Sequence, residues 1–227
     1  MPTQANPKPT VTTSVTSKNG ARQERIQTDI RSWLRAAVAG KDILHVGCAD
    51  HDVDEIASSD RWLHAHLVKE AKSTLGLDIL AEDCAKLRAR GFDAVAGDAC
   101  TIDIGRTFDV IVAGEIIEHV ENPGQMLRNL ARHLRPGGDL ILTTPNAHFA
   151  LHMVESMFFD TRYRWQPQHV AWYDPFTLCN MVERCGLKVE RSLYFTRSRK
   201  LLALMKHGLP CWGWLSSSIA IVARRTD

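Results

Sequence analysis

FDVIVAGEIIEHVENPGQMLRNLARHLRPGGDLILTTPN, residues 108–146, is the stretch of the sequence that decides the fold. It contains two short apolar segments, 108–113 and 139–143, whose length is typical of buried strands. Between them, residues 123–134 place apolar side chains at helical spacing, and the turn sequence RPGG follows. Strand, amphipathic helix and strand together predict two parallel strands joined by a crossover helix.

The same alternation of short apolar strands and amphipathic helices continues on both sides of this stretch. Further strands are predicted at 42–46, 73–77, 92–96, 187–195 and 216–223, and further helices at about 21–40, 61–71, 81–90 and 174–185. This order predicts an α/β fold of the Rossmann-like type, a mostly parallel sheet with helices on both faces. In such sheets the ligand binds outside the carboxyl ends of the strands.

Two segments depart from the alternation. Residues 1–20 are rich in Thr, Ser and Pro and offer little to bury, so we expect a disordered tail. Residues 21–227 have the length of a single domain. Within that domain, residues 147–173 are rich in aromatic, His and Arg residues, and we expect them to form an inserted lid.

The composition is that of a globular protein, with 44% hydrophobic and 24% charged residues. The net charge is +2, but residues 42–196 carry a net −8 between two ends of +5 each. The acidic middle argues against a nucleic-acid partner, although the basic ends leave an RNA acceptor open. The chain has no C-x-x-C pair and no apolar run of about 18 residues, and its first residues lack the apolar core of a signal peptide. We therefore expect a cytoplasmic protein without a membrane span, and a homo-oligomer stays open.

Three residues at the predicted strand ends suit an adenosyl ligand. Gly47 ends the first strand of the alternation where backbone must pass close to a ligand. Ala49 and His51 then stand where a pyrophosphate-binding loop has glycines, which argues against an NAD-linked enzyme. Asp78 is placed to accept the ribose hydroxyls, and Asp98 to accept from an adenine amino group. Either aspartate taken alone could instead be a loop or cap residue.

A second group of polar residues follows the strand 108–113. Glu115, Glu118 and His119 are spaced i, i+3 and i+4, so in a helix they would share one face. Two carboxylates and an imidazole suit Mg²⁺ or Mn²⁺, and His169 in the lid could be a fourth ligand. The alternative is a cluster that caps nearby backbone.

The series of these motifs resembles the class I S-adenosylmethionine-dependent methyltransferases over about residues 40–190. The resemblance implies a seven-stranded sheet whose last strand is antiparallel, and S-adenosylmethionine as the cofactor. It also implies cofactor contacts at Gly47, Cys48, Ala49, Asp78, Ile79, Asp98, Ala99, Gly114 and Glu115. The sequence departs from that family at His45, where an acidic residue is common.

The Glu-x-x-Glu-His spacing is similar to that of ubiquinone-pathway O-methyltransferases and of small-RNA 3′-end 2′-O-methyltransferases, which use it for a divalent metal. The strings VGCADH (46–51) and WLHAHLVKEAKSTLGLDI (62–79) also resemble methyltransferases of bacterial glycans. We therefore expect a metal-assisted O-methyltransferase acting on a sugar or glycan hydroxyl. The alternatives are a quinol or phenol acceptor, an RNA 3′-terminal 2′-hydroxyl, and a non-catalytic protein that binds an adenosyl ligand.

Methyl transfer to a hydroxyl requires the acceptor to be aligned and its proton to be removed. We expect His148, just beyond the strand 139–143, to be the base, with His152 as the alternative. The pair could also be a surface i, i+4 pair of a helix without a catalytic role. His169 and His119 are counted among the catalytic residues as well, because either could be a base or a ligand.

Overall fold

The structure is a computed structural model that describes residues 11–16, 22–26, 30–50, 53–56, 62–158, 166–196 and 212–226. His51 and residues 159–165 of the expected lid therefore lie outside the described residues.

Nine strands in the described ranges form one sheet with the order β1-β2-β8-β9-β7-β6-β3-β4-β5. The strands are β1 Val11–Thr16, β2 Arg22–Ile26, β3 Asp42–Val46, β4 Ser73–Asp78, β5 Ala94–Ala96, β6 Phe108–Gly114, β7 Leu134–Pro145, β8 Lys188–Phe195 and β9 Ser218–Arg224. The helices are α1 Ile30–Val38, α2 Val53–Ile56, α3 Leu63–Glu70, α4 Ala81–Ala89, α5 Pro123–Arg132, α6 Ala150–Phe158 and α7 Pro175–Arg184. Two 3₁₀ turns span Ile117–His119 and Trp212–Leu215.

The predicted α/β fold is confirmed. β6 and β7 pair in parallel and are joined by α5, as the stretch 108–146 predicts. β3, β4, β5 and β6 are parallel as well, whereas β9 is antiparallel to both β7 and β8. The seven strands from β8 to β5 are thus the predicted sheet with its last strand antiparallel.

β1 and β2 extend this sheet beyond the seven strands, and two expectations for the first forty residues are wrong there. Residues 11–16, expected to be disordered, form a strand, and 22–26, expected to begin a helix, form another. Five of the six residues of VTTSVT are β-branched, which favours strand. β2 pairs in parallel with β8, and this backbone pairing outweighs the helical spacing, so α1 begins only at Ile30. The predicted tail therefore does not hold for residues 11–16, and the assignment of residues 21–227 to one domain stays a prediction.

The buried faces of β3 show which layer covers each side of the sheet. Ile43 belongs to an apolar cluster with residues of α1 and α3. Leu44 and Val46 point to the other face, into a cluster with residues of α5 and α7. Because side chains alternate along a strand, His45 lies on the α1–α3 face with Ile43. The carboxyl ends of β3, β4, β6 and β7 meet at one edge of the sheet, where the predicted site residues follow them.

Candidate active site

The turn after β3 requires glycine at its first position. Gly47 has a φ of 77°, and a Cβ there would lie 2.3 Å from Cδ1 of Ile116. The N–H groups of Gly47 and Cys48 donate to the carbonyl oxygen of Leu77, at 2.8 and 3.4 Å. The turn therefore closes over the end of β4. Burial, and then the charge of Asp78, raise the pKa of the Cys48 thiol, so this cysteine is a packed apolar group.

Asp78, the last residue of β4, accepts two backbone hydrogen bonds that hold this turn in place. Its Oδ2 accepts from the N–H of Ala49 at 3.0 Å, and its Oδ1 accepts from the N–H of Leu80 at 3.1 Å. The aspartate therefore serves as a loop residue, and each oxygen keeps a further lone pair for a ligand hydroxyl. Ile79 is 71% exposed beside it, which leaves an apolar surface open to a ligand.

The loop after β5 places Asp98 in a comparable way. Asp98 is exposed, and its Oδ1 accepts from the N–H of Cys100 at 2.8 Å. The carbonyl oxygen of Ala99 accepts from the side chain of Asn129 at 3.0 Å, which ties this loop to α5. The carboxylate expected at the adenine end is thus held at the same edge of the sheet as Asp78.

Glu115, directly after β6, has an unusual backbone. Its φ is 53°, and Asp50 in the turn after β3 has a φ of 55°. Left-handed residues other than glycine are uncommon and concentrate at functional sites. The N–H of Glu115 donates to the carbonyl oxygen of Thr143 at 2.9 Å, and its Oε1 accepts from the Thr143 hydroxyl at 3.1 Å. Thr143 thus fixes this glutamate at both ends.

The expected acidic cluster forms in part. One ligand atom each of Glu118, His119 and His169 lies within 4.8 Å of the others, and the searched, described residues do not add Glu115 to this group. The prediction that Glu115, Glu118 and His119 share a helix face is wrong. The left-handed turn at Glu115 redirects the chain, and only Ile117–His119 is helical, as a 3₁₀ turn.

Glu118 is the buried centre of this group. It is 1% exposed, its Oε2 accepts from the Thr144 hydroxyl at 3.0 Å, and its Oε1 has no hydrogen-bond partner among the described residues. Burial, and then the charge of Glu115, raise the pKa of Glu118 to about 8. Burial and then His119 lower the pKa of His169 from its usual value.

His169 reaches this group because the chain returns along Glu118. The N–H of Val170 donates to the backbone carbonyl oxygen of Glu118 at 2.8 Å. The rings of His169 and His119 meet edge to face at 4.7 Å, and Nδ1 of His119 lies 3.2 Å from the carbonyl oxygen of Gln168. Nδ1 of His169 is buried without a partner in the described part of the chain.

The two candidate bases, both among the described residues, are not part of this group. His148 stacks on Trp214 at 5.7 Å with an interplanar angle of 15°, and its N–H donates to Oδ1 of Asn146 at 3.1 Å. His152 meets the rings of Phe149 and Trp172 edge to face. α6 begins only at Ala150, so His148 and His152 are not an i, i+4 pair of one helix.

Three functional positions escaped the sequence analysis. Thr143 and Thr144 hold Glu115 and Glu118, and the polar run TTPN at a strand end could have indicated them. His64, which the sequence leaves without a role, is fully buried against His45. Only the fold brings those two histidines together, since they are 19 residues apart.

The fold and the strand-end residues define a class I S-adenosylmethionine-dependent methyltransferase. A family model for the methyltransferase domain matches residues 20–192, and the chain belongs to this family. None of the helices in the described ranges is long and apolar enough to cross a membrane.

The curated relatives include two ubiquinone biosynthesis O-methyltransferases. The protein from Aeromonas salmonicida is 28% identical over 156 residues, which are 66% of this chain and 64% of the relative. The protein from Nitrobacter winogradskyi is 29% identical over 170 residues, 67% of this chain and 58% of the relative. The chain thus matches less than two thirds of the length of these relatives.

The solved structures similar to this chain agree on the fold. An S-adenosylmethionine-dependent methyltransferase from Mesorhizobium loti has a TM-score of 0.58 at 19% identity, over 86% of this chain and 98% of its own. An N-methyltransferase from Bradyrhizobium japonicum, solved with S-adenosylhomocysteine, has a TM-score of 0.55 at 15% identity, over 86% and 83%. At this identity the likeness supports the fold alone.

Proposed function

We propose that this protein is an S-adenosylmethionine-dependent O-methyltransferase that methylates a hydroxyl group with the help of a divalent metal. The observation that carries the proposal is the group of Glu118, His119 and His169 beside Glu115, at the edge of the sheet where the cofactor loop also ends. The chain belongs to the methyltransferase family, which supports a methyl group as the group that is transferred.

The proposed site has two parts at this edge of the sheet, a cofactor side and an acceptor side. On the cofactor side, Asp78 and Asp98 would accept hydrogen bonds from the ribose and adenine, and the turn at Gly47 would let the backbone approach the amino-acid end. On the acceptor side, Thr144 orients Glu118, and the Val170 N–H holds the lid backbone against it. Holding the acceptor in line with the sulfonium methyl group supplies much of the rate.

Glu118, His119 and His169 would hold Mg²⁺ or Mn²⁺. The fit rests on two buried atoms, Glu118 Oε1 and His169 Nδ1, which lack hydrogen-bond partners among the described residues. A carboxylate and two imidazoles are a mixed donor set that such cations accept. When bound, the metal would act as a Lewis acid that lowers the pKa of the acceptor hydroxyl. We assign Glu115 to the cofactor side, because it is engaged with Thr143 and outside the group.

The acceptor we favour is the hydroxyl of a planar ring, a quinol or phenol, rather than the sugar hydroxyl that we expected first. The relatives named above carry ubiquinone in their names, and no relative named above carries a glycan. On this chain, Trp172 lies edge to face with His169 at 5.4 Å and is 38% exposed beside exposed Val170. Flat apolar walls of this kind suit a planar ring. His148 stays our proposed base, with His152 as the alternative.

Turnover of S-adenosylmethionine to S-adenosylhomocysteine with a panel of catechols, sugars and an RNA 3′ end tests the proposal. We expect turnover with catechols, its loss with EDTA, and its return on addition of Mg²⁺ or Mn²⁺. Full turnover in EDTA would contradict the role of a metal. Turnover with sugars alone would contradict the planar-ring acceptor and support the sugar hydroxyl that we expected first. Binding of S-adenosylhomocysteine without turnover of any acceptor would favour the non-catalytic alternative.

A further inference from the structure

Tyr173 carries a buried hydroxyl to which the site as described so far gives no role. The residue is 5% exposed, and its Oη has no hydrogen-bond partner among the described residues. Buried hydroxyl groups in proteins almost always have a partner, because burial without one costs free energy. The hydroxyl of Tyr173 is therefore a hydrogen-bond donor that a bound ligand could use.

The backbone places Tyr173 beside the end of β7, on the side of β6. Asn146, the residue after β7, forms a parallel bridge with Tyr173. The N–H of Asn146 donates to the carbonyl oxygen of Ser217, just before β9, at 3.1 Å. The next N–H, that of Ala147, donates to the carbonyl oxygen of Tyr173 at 3.0 Å. Because successive N–H groups of an extended chain point to opposite sides, and β7 lies between β9 and β6, Tyr173 lies on the side where β6 ends and leads into Glu115.

The side chain of Tyr173 lies on the face of the sheet where Glu118 also lies. Side chains alternate along a strand, and directly paired residues of neighbouring strands share a face. Leu142, which is two residues before Thr144 and four before Asn146, belongs to the same buried cluster as Tyr173. On this face, the Thr144 hydroxyl donates to Oε2 of Glu118 at 3.0 Å. Tyr173 and Glu118 therefore approach the end of β7 from the same side of the sheet.

The electrostatics of Tyr173 agree with this placement. Burial, and then the charge of Glu118, raise the pKa of Tyr173, so the phenol keeps its proton. The chain just before Tyr173 is held against Glu118, whose backbone carbonyl oxygen accepts from the N–H groups of Val170 and Ala171 at 2.8 and 3.3 Å. The hydroxyl is thus a protonated donor on the acceptor side, within the field of the Glu118 carboxylate.

We propose that the Tyr173 hydroxyl donates a hydrogen bond to the acceptor oxygen that receives the methyl group. The inference rests on the proposed function, which places the acceptor beside Glu118. A neutral phenol is not among the donors that Mg²⁺ or Mn²⁺ prefers, so the acceptor is the remaining partner for this hydroxyl.

The hydrogen bond acts when the acceptor loses its proton. That proton passes to the base, and the oxygen forms the new C–O bond with the methyl carbon. The electrons of the broken C–S bond stay on sulfur, which changes from a sulfonium to a thioether, and Tyr173 keeps its own proton. A donor to the acceptor oxygen stabilises the anionic form, so it raises the ionised fraction of an acceptor whose pKa lies above the working pH. An acceptor that is already ionised gains little from it.

Turnover of a weakly and a strongly acidic acceptor by wild type and Tyr173→Phe tests the proposal, with catechol and 4-nitrocatechol in saturating Mg²⁺ at about pH 7.5. We expect kcat for catechol to fall about tenfold in the variant, and kcat for 4-nitrocatechol to change less than about twofold. The affinity for S-adenosylhomocysteine should stay within about twofold, which shows that the variant is folded and its cofactor side intact. Tyr194→Phe removes another buried tyrosine hydroxyl from the same apolar cluster. It is the matched control and should leave both turnover rates unchanged.

The ionisation of bound 4-nitrocatechol gives a readout that does not depend on turnover. Its anion is coloured, so an absorbance titration of the complex with S-adenosylhomocysteine and Mg²⁺ measures the ionisation of the bound acceptor. We expect its ionisation constant to be about tenfold smaller in Tyr173→Phe than in wild type. Equal titrations, or equal losses of kcat for the two acceptors, would mean that Tyr173 has only a structural role and would overturn the inference. A wild-type protein that methylates neither acceptor would instead contradict the proposed function.

Discussion

The cofactor side and the acceptor side of the site are built in opposite ways. Below the cofactor loop, His45 and His64 are buried bases held neutral, with lowered pKa values. On the acceptor side, Glu118 is a buried acid held neutral, with a pKa of about 8. The two histidines share a hydrogen bond, and each group keeps one buried atom without a partner in the described ranges, Nε2 of His64 and Oε1 of Glu118. The comparison separates two bases that share a hydrogen bond from an acid whose unpartnered oxygen we assign to the proposed metal.

The largest expected effect lies on the acceptor side. We expect Glu118→Gln to lower kcat by about 100-fold or more, because a glutamine side chain cannot ionise to supply the anionic ligand of the proposed metal. S-adenosylhomocysteine affinity, measured by calorimetry, should stay within about twofold. Glu121→Gln, an exposed change three residues away, is the matched control and should leave both quantities unchanged. Equal metal-stimulated turnover in Glu118→Gln and wild type would show that this group holds no metal.

Acid should act on the two sides with opposite sign. In the unfolded chain a histidine becomes protonated below about pH 6.5, whereas in the folded protein His64 becomes protonated only at about pH 4. The contribution of His64 to the free energy of unfolding is therefore full above pH 6.5 and is lost as the pH falls to about 4. That loss is on the order of 3 kcal/mol. Folded Glu118 takes up its proton at about pH 8, before the unfolded chain does, so its contribution rises as the pH falls from 8 to about 4.5.

Denaturant unfolding of wild type and His64→Leu between pH 4 and 8 separates the two contributions. The free energy of unfolding of His64→Leu should fall less than that of wild type as the pH drops from 6.5 to 4. His66→Asn is the control for replacing a histidine on the same helix. Parallel profiles for wild type and His64→Leu would contradict a neutral buried His64.

A change in the turn at Gly47, on the cofactor side, should lower the affinity for the cofactor. Gly47→Ala should weaken S-adenosylhomocysteine binding by about tenfold, because the new Cβ would displace Ile116 and the φ of 77° strains any residue other than glycine. Gly137→Ala is a close control, since Gly137 has a φ of 75° but no described atom within 4 Å of a Cβ. It should lower stability by about 1–2 kcal/mol and leave the affinity unchanged. Equal losses of affinity would mean that strain alone, without the contact to Ile116, explains the effect.

The same contrast explains what the sequence could predict. Gly47, Asp78 and Asp98 lie at a strand end or within two residues of it, so their place at the edge of the sheet follows from a local pattern. The acceptor side depends on the left-handed turn at Glu115 and on a hydrogen bond between residues 118 and 170. Neither feature has a signal in the neighbouring sequence. Helical spacing therefore predicted a shared helix face for Glu115, Glu118 and His119 that the chain does not form. The strands 11–16 and 22–26 escaped for a similar reason, because pairing with β8 is a long-range contact.

Thr143 and Thr144 are adjacent on β7, and substitutions at these two positions can test the cofactor side and the acceptor side independently. The Thr143 hydroxyl donates to Glu115, and the Thr144 hydroxyl donates to Glu118, because successive side chains of a strand point to opposite faces.

Replacing either threonine by valine removes one hydrogen bond at nearly constant volume, which is worth about 1 kcal/mol or about fivefold. We therefore expect Thr143→Val to weaken S-adenosylhomocysteine binding several-fold without changing the Mg²⁺ concentration needed for half-maximal turnover. Thr144→Val should raise that Mg²⁺ concentration several-fold and leave the cofactor affinity unchanged. If each variant altered both quantities equally, the two sides would form one coupled site, and the division between cofactor and acceptor functions would have to be abandoned.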